Sequence, residues 1–193
     1  MKDETVSKQI KDAISVQQCL LEDQEKIDMI YHMSEVILKT YVNGNKVILC
    51  GNGGSAADAQ HIAGEMVAKF RLERKALPAL ALNTNSSVVT AIGNDYDYSE
   101  VYRRQIEAFG REGDTLIAIS TSGNSLNIAK AMEEGKKQGM NVFALLGKDG
   151  GVCLNLADAA IVIPSEDTPR IQEAHILVGH ILCGIVEERY FQQ

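Results

Sequence analysis

The segment Val47–Glu65, with the sequence VILCGNGGSAADAQHIAGE, combines an apolar strand, a glycine-rich turn and the start of a helix. The glycines permit positive φ and a close backbone approach to a ligand, and a helix start presents unpaired N–H groups to an anion. His61 and Glu65 lie four residues apart, on one side of the helix, where an imidazole and a carboxylate can move protons or bind a metal ion. Without this position the pair would more simply form a surface ion pair. We expect chemistry on a phosphorylated small molecule.

A second polar turn follows another apolar run, in Ile117–Ser125, with the sequence IAISTSGNS. Hydroxyls and backbone amides can hold a phosphate by hydrogen bonding, helped by the dipole of the following helix. If the first and third strands of the sheet are neighbours, both turns face one crevice beyond the carboxyl ends of the strands. The alternative is that these serines merely cap helices. Neither turn has the GxGxxG or GxxxxGK[ST] pattern, so a dinucleotide or ATP site is disfavoured.

The last helix, expected from about Pro169 to Tyr190, is apolar almost all round and carries further polar residues. Its apolar girth predicts burial, with contacts to another subunit as one possibility. We interpret His175 as a core residue that needs a hydrogen-bond partner. His180 remains open between a core role and a functional one.

Composition excludes several classes of function. The chain has 193 residues, a formal net charge of −7 and no tryptophan, which disfavours a general nucleic-acid binder. The four cysteines are scattered, and three lie in apolar runs, as expected of reduced, buried thiols. The N-terminus is too charged for a signal peptide, and no apolar run is long enough to cross a membrane. We expect a cytoplasmic protein.

The remaining pattern predicts a parallel α/β sandwich in a single domain. Two amphipathic helices are expected between Thr5 and Tyr41, broken near Glu22–Glu25. The strand predictions are Lys46–Cys50, Ala79–Asn83, Thr115–Ser120, Asn141–Leu146 and Ala159–Ile163, and the helices between them are expected near Ser55–Phe70, Ser86–Phe109 (as two pieces) and Ser125–Gln138. Residues 1–44 would form a helical extension to an αβ core of residues 45–193. The extension must bury its apolar faces, and packing against another subunit is preferred to packing on its own domain.

Four segments in this order, GNGGSAADAQHIAGE, AIGNDYDYSEVY, STSGNS and RIQEAHILVGH, closely resemble the phosphoheptose isomerase branch of the SIS (sugar isomerase) family. The resemblance spans nearly the whole chain. It implies a flavodoxin-like, three-layer αβα sandwich with a five-stranded parallel sheet, and usually a homotetramer with active sites at subunit interfaces. The implied reaction interconverts sedoheptulose 7-phosphate and D-glycero-D-manno-heptose 7-phosphate. This opens the synthesis of nucleotide-activated heptose for lipopolysaccharide or another surface polysaccharide.

The resemblance also assigns residues, position by position. The implied phosphosugar-binding residues are Asn52, Gly53, Gly54, Ser55, Glu65, Asn94, Asp95, Ser120, Thr121, Ser122, Ser125 and Gln172. The implied catalytic pair is Glu65 and His180, and the implied ligands of one zinc ion are His61, Glu65, Gln172 and His180. Asp97 stands where glycine is usual in the family, which puts only the local loop shape in doubt.

The implied chemistry needs a base, a second acid or base, and a group that holds the developing oxyanion. We assign Glu65 to the carbon-bound proton and His180 to its counterpart on the opposite side of the substrate, with zinc polarising oxygens. A carboxylate bound to zinc is a weaker base, so Glu65 either shifts between roles or the metal only supports activity. Gln172 and His180 are eight residues apart, about 12 Å along a regular helix. They share an ion only if it lies between them, if the helix starts irregularly near Pro169, or if different subunits supply them.

Two other functions fit parts of this pattern. One is a noncatalytic SIS adaptor that binds a protein partner such as a replication initiator. The other is an isomerase or sensor for a different phosphosugar, since the serine turns would suit any of them. The joint presence of His61, Glu65, Gln172 and His180 argues for catalysis, because an adaptor has no chemical need for all four.

Overall fold

A five-stranded, all-parallel sheet forms the centre of the computed structural model, which describes residues 2–192. The strands are β1 Val47–Gly51, β2 Ala79–Ala81, β3 Thr115–Ser120, β4 Asn141–Gly147 and β5 Ala159–Ile163. Their order across the sheet is β2-β1-β3-β4-β5. All residues of β1 and β3 are buried, because helices cover both faces of the sheet. Continuous apolar runs, rather than alternating ones, therefore encode these strands.

Helices form the outer two layers, as the strand and helix alternation predicts. They are α1 Lys2–Glu22, α2 Gln24–Val42, α3 Gly54–Val67, α4 Ser86–Asp95, α5 Arg103–Phe109, α6 Leu126–Lys137, α7 Gly151–Leu154 and α8 Thr168–Phe191. One apolar core lies between the sheet and α2, α3 and α8. A second core lies on the opposite face, under α4, α5 and α6. The predicted three-layer sandwich with additional N-terminal helices is confirmed.

The two N-terminal helices behave differently. The helix α2 is capped by the Asp23 side chain, which accepts a hydrogen bond from the Lys26 backbone, and its buried face packs on α8. In contrast, α1 leaves Val6, Ile10 and Ile14 exposed along one side. The predicted break near Glu22–Glu25 is confirmed at Asp23. The apolar face of α2 is therefore covered by its own domain. The apolar stripe of α1, formed by Val6, Ile10 and Ile14, stays uncovered within one chain.

Several element boundaries differ from the prediction. The strand β2 ends at Ala81, although Leu82 still donates a backbone hydrogen bond to Leu49. The expected pair of helices in Ser86–Phe109 is present, with a short 3₁₀ turn, Tyr98–Glu100, between them. The one-turn helix α7 was not predicted. A segment of four residues is too short to show a helical period.

The cysteines and the helix lengths agree with the composition. Cys50, Cys153 and Cys183 are buried, Cys19 is exposed, and all four are free thiols. Burial raises the pKa of the Cys153 thiol to about 11 and that of Cys183 to about 12. Buried thiols of this kind are unreactive at neutral pH. Within residues 2–192, no helix is both long enough and apolar enough to span a membrane.

Candidate functional site

The two polar turns lie side by side. Strands β1 and β3 are neighbours, and Gly51 at the end of β1 is in register with Ile119 near the end of β3. The strand order reverses direction between these two strands, and open parallel sheets bind ligands at such a point. The condition under which both turns face one crevice is therefore met.

The first turn brings the backbone close to the start of α3. Gly53 is the residue before the helix and has a φ of 54°, a left-handed conformation that favours glycine. A Cβ atom on Gly51 would lie 2.4 Å from the carbonyl oxygen of Ser55, so only glycine fits there. Ser55 is buried in the first turn of α3. No side-chain cap hydrogen bond is made at this helix start.

The second turn folds its hydroxyl groups onto one another. The Ser120 hydroxyl donates to the Ser125 hydroxyl over 3.3 Å and accepts from the Gly123 backbone N–H over 3.1 Å. Ser125 occupies the position before α6, but its side chain makes no cap hydrogen bond. Simple capping therefore does not explain the serines of this turn. Their oxygens, with those of Thr121 and Ser122, remain the phosphate-binding prediction.

A pair of amides joins the two turns. The side chains of Asn52 and Asn127 exchange two hydrogen bonds, each 2.9 Å long. Tyr102 also donates its hydroxyl to the carbonyl of Gly51, the last residue of β1. Sequence reasoning singled out neither Asn127 nor Tyr102, because their partners are distant in the chain. These contacts fix the separation of the two turns.

The predicted acid/base residues meet on the side of the sheet where α3 packs against α8. The Nε2 atoms of His61 and His180 are 2.8 Å apart, and Glu65 Oε1 lies 3.3 Å from His61 Nε2. One ligand atom from each residue lies within 4.8 Å of the others. The open question about His180 is thereby resolved in favour of a place in this cluster. Because so little space separates them, Glu65 and His180 of one chain would meet a substrate from the same side. The placement on opposite sides that we assign from the sequence would need the two residues to come from different chains.

The donor set suits zinc. Two imidazole nitrogens and a carboxylate are a typical zinc set, and tetrahedral Zn–N bonds of about 2.0 Å would place two nitrogens about 3.3 Å apart. The 2.8 Å between His61 and His180 needs only a small adjustment. His61, Glu65 and His180 could therefore hold the ion.

Gln172 lies elsewhere in the same chain. The helix α8 is continuous from Thr168, so Gln172 is already within its regular part and about 12 Å from His180. A Cβ on Gly54 would lie 2.3 Å from Gln172 Nε2, which places this side chain against the start of α3. The irregular start proposed near Pro169 is absent. Gln172 thus borders the first polar turn, and its assignment to the metal ion stays a prediction.

The remaining residues of interest have local roles in the structure. Asn94 donates to the carboxylate of Asp95 over 2.8 Å at the exposed end of α4. Asp97 has an extended backbone and accepts from the Ser99 N–H, which starts the 3₁₀ turn without glycine. His175 is buried, as predicted, and its Nε2 lies 2.8 Å from the Leu146 carbonyl. Asp97, which stands where glycine is usual in the family, therefore needs no positive φ in this loop.

Asp58 is a further acidic residue near the cluster that sequence reasoning missed. It lies on α3 one turn before His61, and its Oδ2 atom is buried without a hydrogen-bond partner. Burial raises the pKa of the Asp58 carboxyl to about 6, while the nearby His61 opposes the rise. Only its position three residues before His61 could have drawn attention to it.

The fold and this site define a class. The chain belongs to the SIS domain family, whose model matches residues 10–147.

Particular relatives share nearly the full length. Phosphoheptose isomerase of Clostridium acetobutylicum is 55% identical over 186 residues, covering 96% of this chain and 95% of the relative. The enzyme of the same name from Aneurinibacillus thermoaerophilus is 50% identical, with coverages of 97% and 94%. Among solved structures, phosphoheptose isomerase from Neisseria gonorrhoeae is 38% identical, with a TM-score of 0.92 and coverages of 97% and 100%. That from Francisella tularensis is 34% identical, with a TM-score of 0.93 and coverages of 97% and 99%.

Proposed function

We propose that this SIS-domain protein is an aldose–ketose isomerase that interconverts sedoheptulose 7-phosphate and D-glycero-D-manno-heptose 7-phosphate. The observation that carries the proposal is the cluster of His61, Glu65 and His180 in a chain 55% identical to a phosphoheptose isomerase. The cluster supplies groups that an isomerase needs and a noncatalytic adaptor does not. No feature of the described residues favours the adaptor.

Glu65 moves the proton between the two reacting carbons. It removes the proton from the carbon beside the carbonyl and returns it to the former carbonyl carbon, through an enediol. One carboxylate on one face of the substrate can do both steps. The Glu65 backbone carbonyl accepts a hydrogen bond of 2.8 Å from Arg74, which fixes the end of α3 that bears the carboxylate.

His180 handles the protons of the oxygens. Its Nε2 lies beside His61 and on the same side as Glu65, so it reaches the edge of an enediol whose face meets the carboxylate. The imidazole can donate to one oxygen and accept from the other as the double bond moves. His61 holds the ring in place through the nitrogen pair.

His61, Glu65 and His180 would hold the zinc ion, with Gln172 as the fourth predicted ligand only if another subunit supplies it, since Gln172 of the same chain lies against the start of α3. When bound, zinc would polarise the carbonyl and enediolate oxygens. Glu65 and His180 would then act on protons in a state in which they are free of the ion, because zinc lowers the basicity of the carboxylate and occupies the lone pair of the imidazole nitrogen.

The phosphate is assigned to the two polar turns. Ser55, Ser120 and Ser125, with the backbone amides at the starts of α3 and α6, would provide hydrogen bonds and a favourable helix dipole. Asn52, Gly53, Gly54, Thr121, Ser122, Asn94, Asp95 and Gln172 complete the proposed substrate-binding set. The reaction would take place in the cytoplasm, which free, buried thiols suit. Its product would enter nucleotide-activated heptose for lipopolysaccharide or another surface polysaccharide.

We propose that the chain forms a homotetramer, with residues 1–44 as the oligomerisation segment. The exposed apolar residues Val6, Ile10 and Ile14 of α1 support this assembly, because one chain leaves them uncovered. Ser55 and Glu65 are ten residues apart on α3, about 15 Å along the helix. An extended heptulose spans roughly 9 Å from its second carbon to the phosphorus, given bonds of about 1.5 Å, and the two side chains with their contact distances cover the remainder. One chain could therefore reach both ends of the substrate, and a neighbouring subunit would border the site.

The direct test is turnover of sedoheptulose 7-phosphate by the purified protein, with the aldose product measured before and after treatment with a chelator. We expect turnover that the chelator lowers and zinc restores. Glu65→Gln should lower kcat by about 10²- to 10⁴-fold, the usual contribution of a positioned acid or base.

The matched control is Glu73→Gln, which removes an exposed carboxylate that pairs only with Lys69 in the same region. It should leave kcat close to that of the wild type. No turnover by wild-type protein supplied with zinc would refute the isomerase. Full activity of Glu65→Gln would refute the role of Glu65 alone.

A further inference from the structure

A buried carboxylate holds the segment that follows α3. Glu187 lies on α8, and its two oxygens accept backbone hydrogen bonds from Phe70 (2.9 Å), Arg71 (2.7 Å) and Leu72 (3.0 Å). Three successive N–H groups of an irregular segment therefore converge on one side chain. More than 110 residues separate the partners, since 187 − 72 = 115.

Arg74 completes this clamp. Its Nε donates to Glu187 Oε1 over 2.7 Å, and the side chains of Arg74 and Glu187 are only 2% and 3% exposed. The other guanidinium nitrogens donate to the carbonyls of Glu65 and Met66, each over 2.8 Å. Arg74 thus ties the segment both to α8 and to the last turns of α3, where Glu65 lies.

The clamp is charged at neutral pH. Burial by itself would raise the pKa of the Glu187 carboxyl, but the hydrogen bonds from Phe70, Arg74, Arg71 and Leu72 outweigh it and hold the pKa below its ordinary value. A buried ion pair is a weak source of stability, because apolar residues of similar volume often do as well. What such a pair does supply here is a fixed geometry, since a guanidinium and a carboxylate meet in few arrangements.

The segment delivers an aromatic ring to the catalytic cluster. Phe70 stacks on His180 with ring centroids 5.6 Å apart and an interplanar angle of 29°. His180 also meets His61, with ring centroids 5.0 Å apart and an interplanar angle of 65°. Phe70 therefore fixes the plane of the His180 imidazole, and His61 contacts its Nε2 atom.

We propose that Glu187 and Arg74 are positioning residues that act through Phe70, fixing the ring of His180 over the cluster and the end of α3 that carries Glu65. This inference rests on the proposed isomerase function for its effect on turnover. The placement of the ring is a property of the fold and can be tested without substrate.

The first test follows the ring protons of His180 by NMR, in protein labelled with ¹³C at the histidine Cε1 position and free of metal. A stacked aromatic ring shifts these protons upfield. The signal is assigned by its loss in His180→Gln. We expect Phe70→Leu to abolish the upfield shift and Glu187→Gln to reduce it, because the amide of glutamine cannot accept from three N–H groups and Arg74 together.

A matched control is available just before β3. Asp114 is another buried carboxylate that accepts from backbone N–H groups, those of Lys46 (3.0 Å) and Arg111 (2.9 Å), and pairs with a side-chain cation, Lys46. Asp114→Asn should destabilise the fold in a similar way. It should leave the His180 ring protons in place.

The second test measures zinc affinity, by competition with a chromophoric chelator, and steady-state turnover. Partners that orient ligands typically contribute about 10- to 100-fold to metal affinity or activity. We expect losses in this range for Glu187→Gln and Phe70→Leu, with kcat falling more than KM rises, and near wild-type values for Asp114→Asn.

The outcomes separate the two proposals. If Glu187→Gln folds, and its His180 ring protons stay where they are in the wild type, the positioning role is refuted. If Glu187→Gln does not fold, Arg74→Lys takes its place, since a lysine cannot donate to Glu187 and to the carbonyls of Glu65 and Met66 together. If the ring protons move as expected while wild-type protein turns over no heptose phosphate, the positioning role stands and the isomerase proposal fails.

Discussion

Asn52 makes a structural contact within the site and is also a predicted substrate-binding residue. Its amide exchanges two hydrogen bonds with Asn127, which ties the turn after β1 to the start of α6. A primary amide has two N–H donors and two acceptor lone pairs. One donor and one lone pair of Asn52 therefore remain for a sugar hydroxyl, so the predicted substrate contact and the observed structural contact are compatible.

His175 gives a pH-dependent stability that can be predicted with its sign. Burial lowers the pKa of this imidazole to about 4, although its contact with the Leu146 carbonyl opposes the shift. The unfolded chain, with an ordinary pKa near 6.5, binds a proton more readily than the folded one. Stability contributed by neutral His175 is therefore present above pH 6.5 and is lost as pH falls towards 4. Between pH 7 and pH 5 the loss should be about 2 kcal/mol.

The measurement is urea unfolding of wild-type protein and His175→Gln at pH 7 and pH 5. Glutamine can still donate to the Leu146 carbonyl but does not titrate, so the pH dependence of the variant should be smaller by this amount. The other ionisable groups are the same in both proteins, so their contribution cancels in the comparison. An equal pH dependence in both proteins would show that His175 does not titrate as its burial implies.

The sequence predicts part of the site and misses another part for a physical reason. Spacing alone places His61 and Glu65 on one side of a helix, and their position after a glycine turn predicts a crevice. The contact of Phe70 with His180 has no such signal, because the two residues belong to elements far apart in the chain. Glu187 likewise gives no signal in the sequence, where it is an ordinary glutamate in an apolar helix. Only the structure shows that it accepts hydrogen bonds from three backbone N–H groups.

At the scale of elements, continuous apolar runs were sufficient to find all five strands of the described sheet. Apolar runs do not predict the order of the strands across the sheet. From the sequence we therefore state only a condition, that the first and third strands are neighbours. The condition matters because the reversal between β1 and β3 is what brings the glycine turn and the serine turn together. The unpredicted helix α7 contributes here as well, since the backbone N–H of Cys153 donates to the Gly123 carbonyl.

Gly123 should be the least replaceable residue of the serine turn. Its φ is 64°, and a Cβ atom there would lie 2.0 Å from the backbone oxygen of Gly150. Neither backbone can yield without moving the turn. We expect Gly123→Ala to lower the free energy of unfolding by about 1–3 kcal/mol, as backbone strain of this kind does, and to raise KM for the phosphosugar.

Gly64→Ala is the matched control for this prediction. Gly64 lies within α3, and no atom would lie within 4 Å of an added Cβ. Alanine in place of glycine within a helix should raise stability by up to about 1 kcal/mol. Urea unfolding of the two variants should therefore move in opposite directions. A loss of stability in both, to the same extent, would contradict the argument from space and φ.

At the scale of the whole molecule, one chain leaves an apolar surface uncovered. On the outside, Val6, Ile10 and Ile14 form an apolar stripe on α1, with exposures of 61%, 56% and 58%. Their spacing of four residues keeps them on one side of the helix. A second copy that covered this stripe would bury apolar surface and could bring its own residues to the border of the proposed site.

Charges on this stripe should therefore abolish both assembly and activity. We expect Ile10→Glu combined with Ile14→Glu to lower the mass measured by light scattering from that of the proposed tetramer, with turnover falling in parallel if the sites lie at subunit interfaces as proposed. The control, Lys8→Glu with Ser15→Glu, adds negative charge on the opposite side of α1, where both residues are exposed. It should change neither the mass nor the turnover. Wild-type protein that is monomeric and fully active would overturn the oligomer.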